Sequence, residues 1–468
     1  MLKRFTALPL AILLTLSGTA TALQADDASN RARALLRDVI AIKTIEGTNT
    51  TRIMADLIRD RLLAESHLTN TNITRVDHND ALSSLVVRYP GSNSGKKPML
   101  LMAHMDVVPA NRADWVKDPF VLTEQDGYFF GRGVEDNKTG VVMLVTSFIT
   151  LSKQGFVPDR DLIMLLTADE ETNAISTIDL LENHRDLVDG EFALNSDAGG
   201  GVLNEGNAVS YSVQASEKIY QSFHLTVKNR GGHSSVPRKD NAINTLARSL
   251  TNVSQYQFPV ELNPVSMGFF KETANTEGGA IGTAMRQIAK DPKNETASRM
   301  VSKSNPYYNA VMRTTCIATE LLAGHAENAL PQSARATVNC RIVPTSNSNS
   351  VENTLKQLIN DEDVVISRIS PPTPSDPSPL RPDVMQALNT TLTEGWGLVT
   401  VIPTMSTGAT DGLYFRNAGI PVYGVSGVFT EPGDSGAHGL DERVKVTSFM
   451  KALDHWESMI KKLTGTKP

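Results

Sequence analysis

Short apolar runs that stop on metal-binding types of side chain constrain this chain more than any other feature. Residues 99–103 lead directly into His104-Met105-Asp106, residues 162–167 into Asp169-Glu170-Glu171, and residues 192–194 into Asp197. The run 420–429 is followed by Asp434-Ser435-Gly436-Ala437-His438-Gly439. A further carboxylate, Asp136, sits in Gly131-Arg132-Gly133-Val134-Glu135-Asp136-Asn137-Lys138, a glycine-bearing loop ahead of a helical stretch. Brief apolar runs bounded by turn residues read as buried strands, and open α/β sheets take their ligands just beyond the carboxyl ends of their strands. Any one cluster alone reads as a solvated loop charge. Recurrence at the ends of several strands points instead to one shared site.

The runs alternate with helical stretches, the mark of an α/β sheet covered by helices. Residues 28–65 read as one helical stretch, with Leu35, Leu36, Val39 and Ile40 along a single stripe. Residues 84–88, 99–103, 162–167 and 192–194 read as strands, and 139–151 and 176–181 as helices. The character changes near Ser216. Residues 220–228 alternate like a half-buried strand, 241–253 read as a helix, and 258–309 look irregular and polar. Strands follow at 313–322, 334–343 and 364–369, with a helix at 351–359. The prolines from Pro371 form a stiff connector. The expected organisation is a leader (1–25), an α/β domain in two pieces (26–215 and 371–468), and a smaller α+β domain inserted at 216–370.

Composition bounds the function. With 40% hydrophobic and 21% charged residues the chain is globular. Its 45 basic against 51 acidic residues give a net charge of −6, which argues against nucleic acid or an anionic membrane as the main partner. Lys3 and Arg4, an apolar core of roughly a dozen residues and Ala20-Thr21-Ala22 have the three parts of a cleavable secretory signal. An uncleaved membrane anchor is the alternative. The expected location is periplasmic or secreted. Two cysteines leave little room for thiolate metal sites. Cys316 and Cys340 are equally spaced about Asn328, where a hairpin turn would set them opposite each other; a disulfide and two buried free thiols both remain open.

One residue between His104 and Asp106 lets the imidazole face a metal while the carboxylate orients its ring. Oxygen-rich ligation with two histidines suits a pair of zinc ions about 3.5–4 Å apart, bridged by a carboxylate and a water. Glu170 and Glu171 point in opposite directions on an extended segment. One can therefore ligate while the other accepts a proton.

These motifs, taken in order, resemble the M20 metallopeptidases, which include glutamate carboxypeptidases, aminoacylases and desuccinylases. The resemblance rests on His104-Met105-Asp106-Val107-Val108-Pro109, on the 131–138 loop and on Asp169-Glu170-Glu171. It also rests on Gly231-Gly232-His233-Ser234-Ser235-Val236-Pro237 and Asn328-Ala329-Leu330-Pro331. Trp115, the Asp118-Pro119-Phe120 turn and the long segment after Phe258 look most like the carboxypeptidase S and PM20D-like branch. The resemblance implies a mixed-sheet di-zinc peptidase domain interrupted by a dimerisation and lid domain. It implies that Asp136 bridges two metals, with His104 and Asp197 completing one site and Glu171 and His438 the other. Asp106 would orient His104, and Glu170 would be the general base. His233 would reach the active site of a partner subunit in a homodimer and steady the oxyanion. Arg341 would hold the substrate carboxylate, with Asn328, Gly408 and Thr410 as further substrate contacts.

Two positions depart from the family pattern. Asn173 stands where many relatives have glycine, a position where asparagine also tolerates a left-handed backbone. Asp197 stands where several carboxypeptidase-like relatives have glutamate. The expected activity is an exported co-catalytic zinc hydrolase acting on small peptides, with hydroxide supplied at the metal pair and Glu170 moving the proton. Cobalt or manganese could replace zinc. The alternatives are an N-acyl amino acid deacylase and, more remotely, a metal-binding receptor without catalysis.

Overall fold

A computed structural model describes residues 13–92, 95–434 and 436–465, with side chains described from Asp27 onward. Lys3, Arg4 and the side chains of Ala20-Thr21-Ala22, on which the leader reading rests, lie outside what is described. Among the described residues no helix is long and apolar enough to cross a membrane. The chain is mixed α/β, and the contacts of its described residues divide into two compact units: those up to Asp179 together with those from Gly427 onward, and Leu180–Ser426.

The first unit begins with helices α1 (Leu13–Ala41) and α2 (Thr50–Glu65). The single helical stretch expected over 28–65 is therefore broken. The reason lies at Thr44, whose hydroxyl donates to the Met105 carbonyl while its own carbonyl accepts from Val107 N. The break is held against the chain that leaves the site-bearing strand. The sheet of this unit runs β1 (Ile73–Asp77), β2 (Ser83–Tyr89), β4 (Leu162–Thr167), β3 (Met99–His104) in spatial order. Strands β3 and β4 are parallel and buried along their whole lengths. Continuous apolar runs are what a sheet covered on both faces requires. Helix α3 (Lys138–Lys153) packs against β3, α1 and the C-terminal helix Val446–Thr464. At the start of α3 the buried Lys138 donates from Nζ to the carbonyls of Val39 and Ile42, satisfying groups at the open end of α1.

In the second unit β5 (Phe192–Asn195) is parallel to β12 (Val422–Gly424), and β6 (Asn207–Glu217) is parallel to β11 (Thr400–Ser406). A separate four-stranded antiparallel sheet has the order β8 (Thr315–Ala323), β9 (Ser333–Ile342), β7 (Ile219–Lys228), β10 (Val364–Arg368). All four strands come from the segment expected as an insertion. One face carries Phe223, Leu225, Val227, Ala336, Val338 and Ile342 into a core with Leu246 of α4 (Ala242–Gln255) and Leu355 of α9 (Ser348–Ile359). The alternation read from residues 220–228 is this face.

Cys316 and Cys340 are directly opposed in the β8–β9 register and form a disulfide. The pairing stays symmetric about Asn328 until one extra residue on β8 shifts it between Ala318 and Glu320.

Residues 258–309 are not irregular. They form α5 (Pro264–Glu277), α6 (Gly279–Lys290), α7 (Glu295–Ser304) and the start of α8 (Pro306–Met312). Asn263, Asn294 and Asn305, which look like loop residues, are N-caps whose side chains accept backbone N–H groups. Phe270, Met285, Ile288, Val301 and Val311 close a small core with Ile402 and Met405 of β11.

Candidate metal centre and active site

The parallel register of β3 and β4 sets His104 opposite Thr167, so the chain segments that leave the two strands emerge side by side. Asp106 then bonds across. Its Oδ1 accepts Glu170 N at 3.1 Å and its Oδ2 accepts Glu171 N at 3.0 Å. His104 Nδ1 lies 3.1 Å from the Asp106 carbonyl and 3.3 Å from its Oδ1. Those contacts leave Nε2 to face the site. Asp106 thus orients the imidazole and fixes the backbone of both glutamates.

Asp136 stands between two imidazoles. His104 Nε2 is 2.9 Å from its Oδ1, and His438 Nε2 is 3.2 Å from its Oδ2. His438 Nε2 is also 2.9 Å from Glu171 Oε2. Ligand atoms of His104, Asp136 and Glu171 all lie within 4.8 Å of one another. Burial opposes the charge on Asp136, but hydrogen bonds from His104 and His438 outweigh it and hold the carboxyl below its usual range. Glu171 is pushed up to about 7 by burial and by the charge of Asp136. His438 is raised to about 9 by its bond to Asp136 against opposing burial, with Glu171 adding to the rise. Two crowded carboxylates bracketed by imidazole nitrogens form a donor set that a divalent cation would relieve, and nitrogen and oxygen donors of this kind suit zinc.

Each side chain is held by its neighbours. Gly133 (φ +94°) turns the Asp136 loop, and a Cβ there would come within 2.9 Å of both Lys138 Cδ and Val107 Cγ1. The peptide between Asp136 and Asn137 is cis. Asp169, beside the two site glutamates, does not face them. Its carboxylate accepts Ile175 N, Ser176 N and Ser176 Oγ, tying down the turn into the helix Ile175–Asn183. The left-handed residue of that turn is Ala174 (φ +50°), not Asn173.

Glu442 went unnoticed in the sequence because it follows a glycine-rich loop with no apolar run to mark it. It is fully buried, and its carboxylate accepts Arg132 Nη1, Gly133 N, Glu135 N and Asp136 N at 2.7–3.1 Å. Burial raises its pKa, and those donors offset only part of the rise.

The remaining expected residues lie in the second unit. Asp197 follows β5, and its backbone N–H donates to the Asn195 side chain at 3.1 Å. His233 is exposed on a two-residue ribbon paired with Ala329, beside Asn328, whose carbonyl accepts Ser234 N. Its Nδ1 accepts Ser235 N at 3.2 Å and lies 2.7 Å from Ser235 Oγ. Arg341 shares one cross-strand row with Tyr220 and Thr315, on the sheet face away from α4 and α9. Its guanidinium lies 4.6 Å above the Tyr220 ring, and burial lowers its pKa. Gly408 N donates to Ser406 Oγ, and the Thr410 hydroxyl donates to Glu217. The sequence reading missed Lys218. Its buried Nζ donates to the Arg313 carbonyl at 2.7 Å and lies 3.5 Å from Thr315 Oγ1. Burial and the nearby Arg341 charge lower that amine to about 7.

Residues 100–462 match the model of Peptidase family M20/M25/M40. The "N-fatty-acyl-amino acid synthase/hydrolase PM20D1" of Mus musculus is 30% identical over 78% of this chain and 73% of its own length. The "Probable carboxypeptidase S-like 2" of Dictyostelium discoideum is 29% identical over 81% of this chain and 74% of its own. Among solved structures, the M20 family metallo-carboxypeptidase Sso-CP2 of Sulfolobus solfataricus superposes with a TM-score of 0.69 at 17% identity, covering 92% of this chain and 99% of that one. The YXEP protein of Bacillus subtilis, described as a dinuclear metal binding peptidase, reaches 0.56 at 12% identity, over 94% and 100%.

Proposed function

The chain belongs to peptidase family M20/M25/M40 and is a metallo-hydrolase of that family, and on this premise we propose that it is an exported, co-catalytic zinc enzyme that hydrolyses an amide bond in small peptides of the carboxypeptidase or dipeptidase type. The observation that carries the reading is Asp136, one oxygen turned to His104 and the other to His438, the disposition a bridging carboxylate needs. His104 and Asp197 would complete one metal position, and Glu171 and His438 the other. Cobalt or manganese would suit the same donors. The dinuclear description of the Bacillus subtilis neighbour supports two metals rather than one.

When bound, such a pair supplies Lewis acidity to the scissile carbonyl and lowers the pKa of the attacking water. The chain's own residues do the rest. Asp106 holds His104 and the Glu170–Glu171 backbone in place. Glu170 removes a proton from the attacking water and returns it to the leaving amine nitrogen. Arg341 takes the free carboxylate of the amino acid being released, a task suited to its planar fork. Asn328 and the 408–410 loop hold the substrate, in the loop's case by backbone groups, since the Thr410 hydroxyl already donates to Glu217. His233 steadies the oxyanion of a partner subunit's reaction within a homodimer. The N-terminal sequence and the Cys316–Cys340 disulfide support export to an oxidising compartment, periplasmic or extracellular.

The second reading, an N-acyl amino acid deacylase, is favoured by the names of the PM20D1 relatives. Both readings release an amino acid with a free carboxylate and differ only in the acyl side. The deciding experiment measures amino acid released by the mature, zinc-loaded protein from unblocked dipeptides and from matched N-acyl amino acids, with and without chelator. Chelator-sensitive cleavage of the dipeptides supports the peptidase. Cleavage confined to the acylated set moves the protein to the deacylases. Metal uptake without hydrolysis of either set would leave a receptor.

A further inference from the structure

We propose that Glu135 and Glu442 form a reciprocal clasp that fixes the spacing between the Asp136 loop and the His438 loop, which makes both of them positioning residues for the metal centre. The inference rests on the reading that Asp136 and His438 ligate metal, and it concerns residues to which that reading gives no role. Each glutamate stands on one ligand-bearing loop and its carboxylate is bound by the other. Glu135 precedes Asp136, yet its Oε2 accepts the backbone N–H groups of Gly436 (2.8 Å) and Ala437 (3.1 Å), immediately ahead of His438. Glu442 follows His438 by four residues, yet its Oε1 accepts Glu135 N (2.7 Å) and Asp136 N (3.1 Å) and its Oε2 accepts Gly133 N (2.9 Å). Arg132 adds a third strand to the clasp, with Nη1 on Glu442 Oε2 and Nη2 on the Gly439 carbonyl at 2.9 Å.

The two loops lie some three hundred positions apart in sequence, as the 301-residue separation of Glu135 and Gly436 shows. Nothing local sets their distance. His438 also has a positive φ of 60°, which a non-glycine residue keeps only when its surroundings enforce it. The bonds at 436, 437 and 439 flank it on both sides and supply that enforcement. On the other loop, Asp136 is held through its own N–H, so a shift of the Glu442 carboxylate displaces the backbone that carries the bridging side chain. Carboxylates are the acceptors this arrangement needs, because every group facing Glu442 is a donor. At Glu442 both oxygens accept N–H groups, so an amide there turns one acceptor into a donor pointed at N–H groups, whereas at Glu135 one oxygen accepts both and only removal of the carboxyl group takes the acceptor away.

The test is zinc titration of the apo mature protein, comparing wild type with Glu135→Ala, Glu442→Gln and the double variant. Affinity and stoichiometry are read against a chromophoric chelator, with the visible spectrum of the cobalt form as a ligand-field signature and the apo melting temperature in parallel. The expected result is two metals in the wild type and a 10–100-fold loss of affinity at one of them in each single variant, with an altered cobalt spectrum. The double variant should lose little more than the worse single, since one clasp is broken once. Wild-type affinity and spectrum in both variants, even with a lowered apo melting temperature, would overturn the clasp and leave the glutamates as fold stabilisers. A wild type that takes up no metal, or a His438→Ala variant that still binds two, would overturn the metal reading itself. Should Glu442→Gln fail to fold, Glu135→Ala at its half-buried position carries the test alone.

Discussion

The two regions that hold the candidate residues treat charge in opposite ways. Around Asp136 charge is answered by charge or by oriented N–H groups: His104 and His438 on the carboxylate itself, Arg132 and three backbone donors on Glu442, and two backbone donors on Asp106. In the four-stranded sheet of the second unit, Arg341 lies over the Tyr220 ring, and among the described residues no carboxylate pairs with it. Lys218 behind it has only uncharged oxygens within hydrogen-bond reach. The first region fixes its charged groups through their neighbours, as catalysis by fixed dipoles and ligands requires. In the second, Arg341 has no charged partner among the described residues, the state of a cation whose anion would arrive with the substrate. On the proposed reading the first region does the chemistry and the second the recognition.

Substitutions can break that division. The largest effect belongs to Glu170→Ala, which should lower kcat by about 10²–10⁴-fold, the usual contribution of a general base, with metal content near normal. Metal lost together with turnover would give Glu170 a ligand's role instead. Arg341→Met should leave kcat nearly intact and raise KM by about 10–100-fold, the equivalent of a charge-assisted hydrogen bond. That rise should vanish for substrates whose terminal carboxylate is an amide; equal losses on both substrates would make Arg341 a structural residue.

Stability effects come next. The Cys316–Cys340 bond closes a separation of 24 residues, so Cys316→Ser with Cys340→Ser should cost about 3 kcal/mol by the chain-entropy estimate. Denaturant unfolding would measure it, and metal affinity should not move, because the bond lies in the recognition region.

A further effect on stability is a matter of pH. The Lys218 amine is lowered by burial to about 7 from 10.5, so between those values the unfolded chain binds the extra proton. Wild-type stability should therefore rise with pH across that window, and Lys218→Met should flatten the rise. Parallel slopes in thermal unfolding from pH 6 to 9 would show that the amine stays charged in the folded protein.

How much was legible in the sequence follows from how local the deciding physics was. Strands β3 and β4 announced themselves because a doubly covered strand must be apolar throughout. The disulfide partners were legible from hairpin symmetry, but their oxidation was not. The helices within residues 258–309 were hidden because Asn263, Asn294 and Asn305 act as caps, and asparagine reads equally well as a cap or as a loop residue. The break between α1 and α2 depends on Thr44 meeting Met105 and Val107, a long-range pairing that no periodicity reveals. His104, Glu171 and His438 were legible as residue types beyond apolar runs and Asp136 as a carboxylate in a glycine-bearing loop, and in the structure the four lie close together. Glu442 carries no such mark, since the donors it receives come from Arg132 and the backbone of a loop some three hundred positions away.

The pairing of His104 with Thr167 also bears on how the protein comes into being. The two residues stand 63 positions apart, and their strands lie side by side only once α3 has crossed between them. Side chains alternate across a strand, so a slip of one residue would turn His104 to the opposite face of the sheet. A chain with the wrong register, or with the sheet half assembled, therefore has no place to keep a metal ion. Metal retention during refolding would therefore report whether β3 and β4 have paired in the right register.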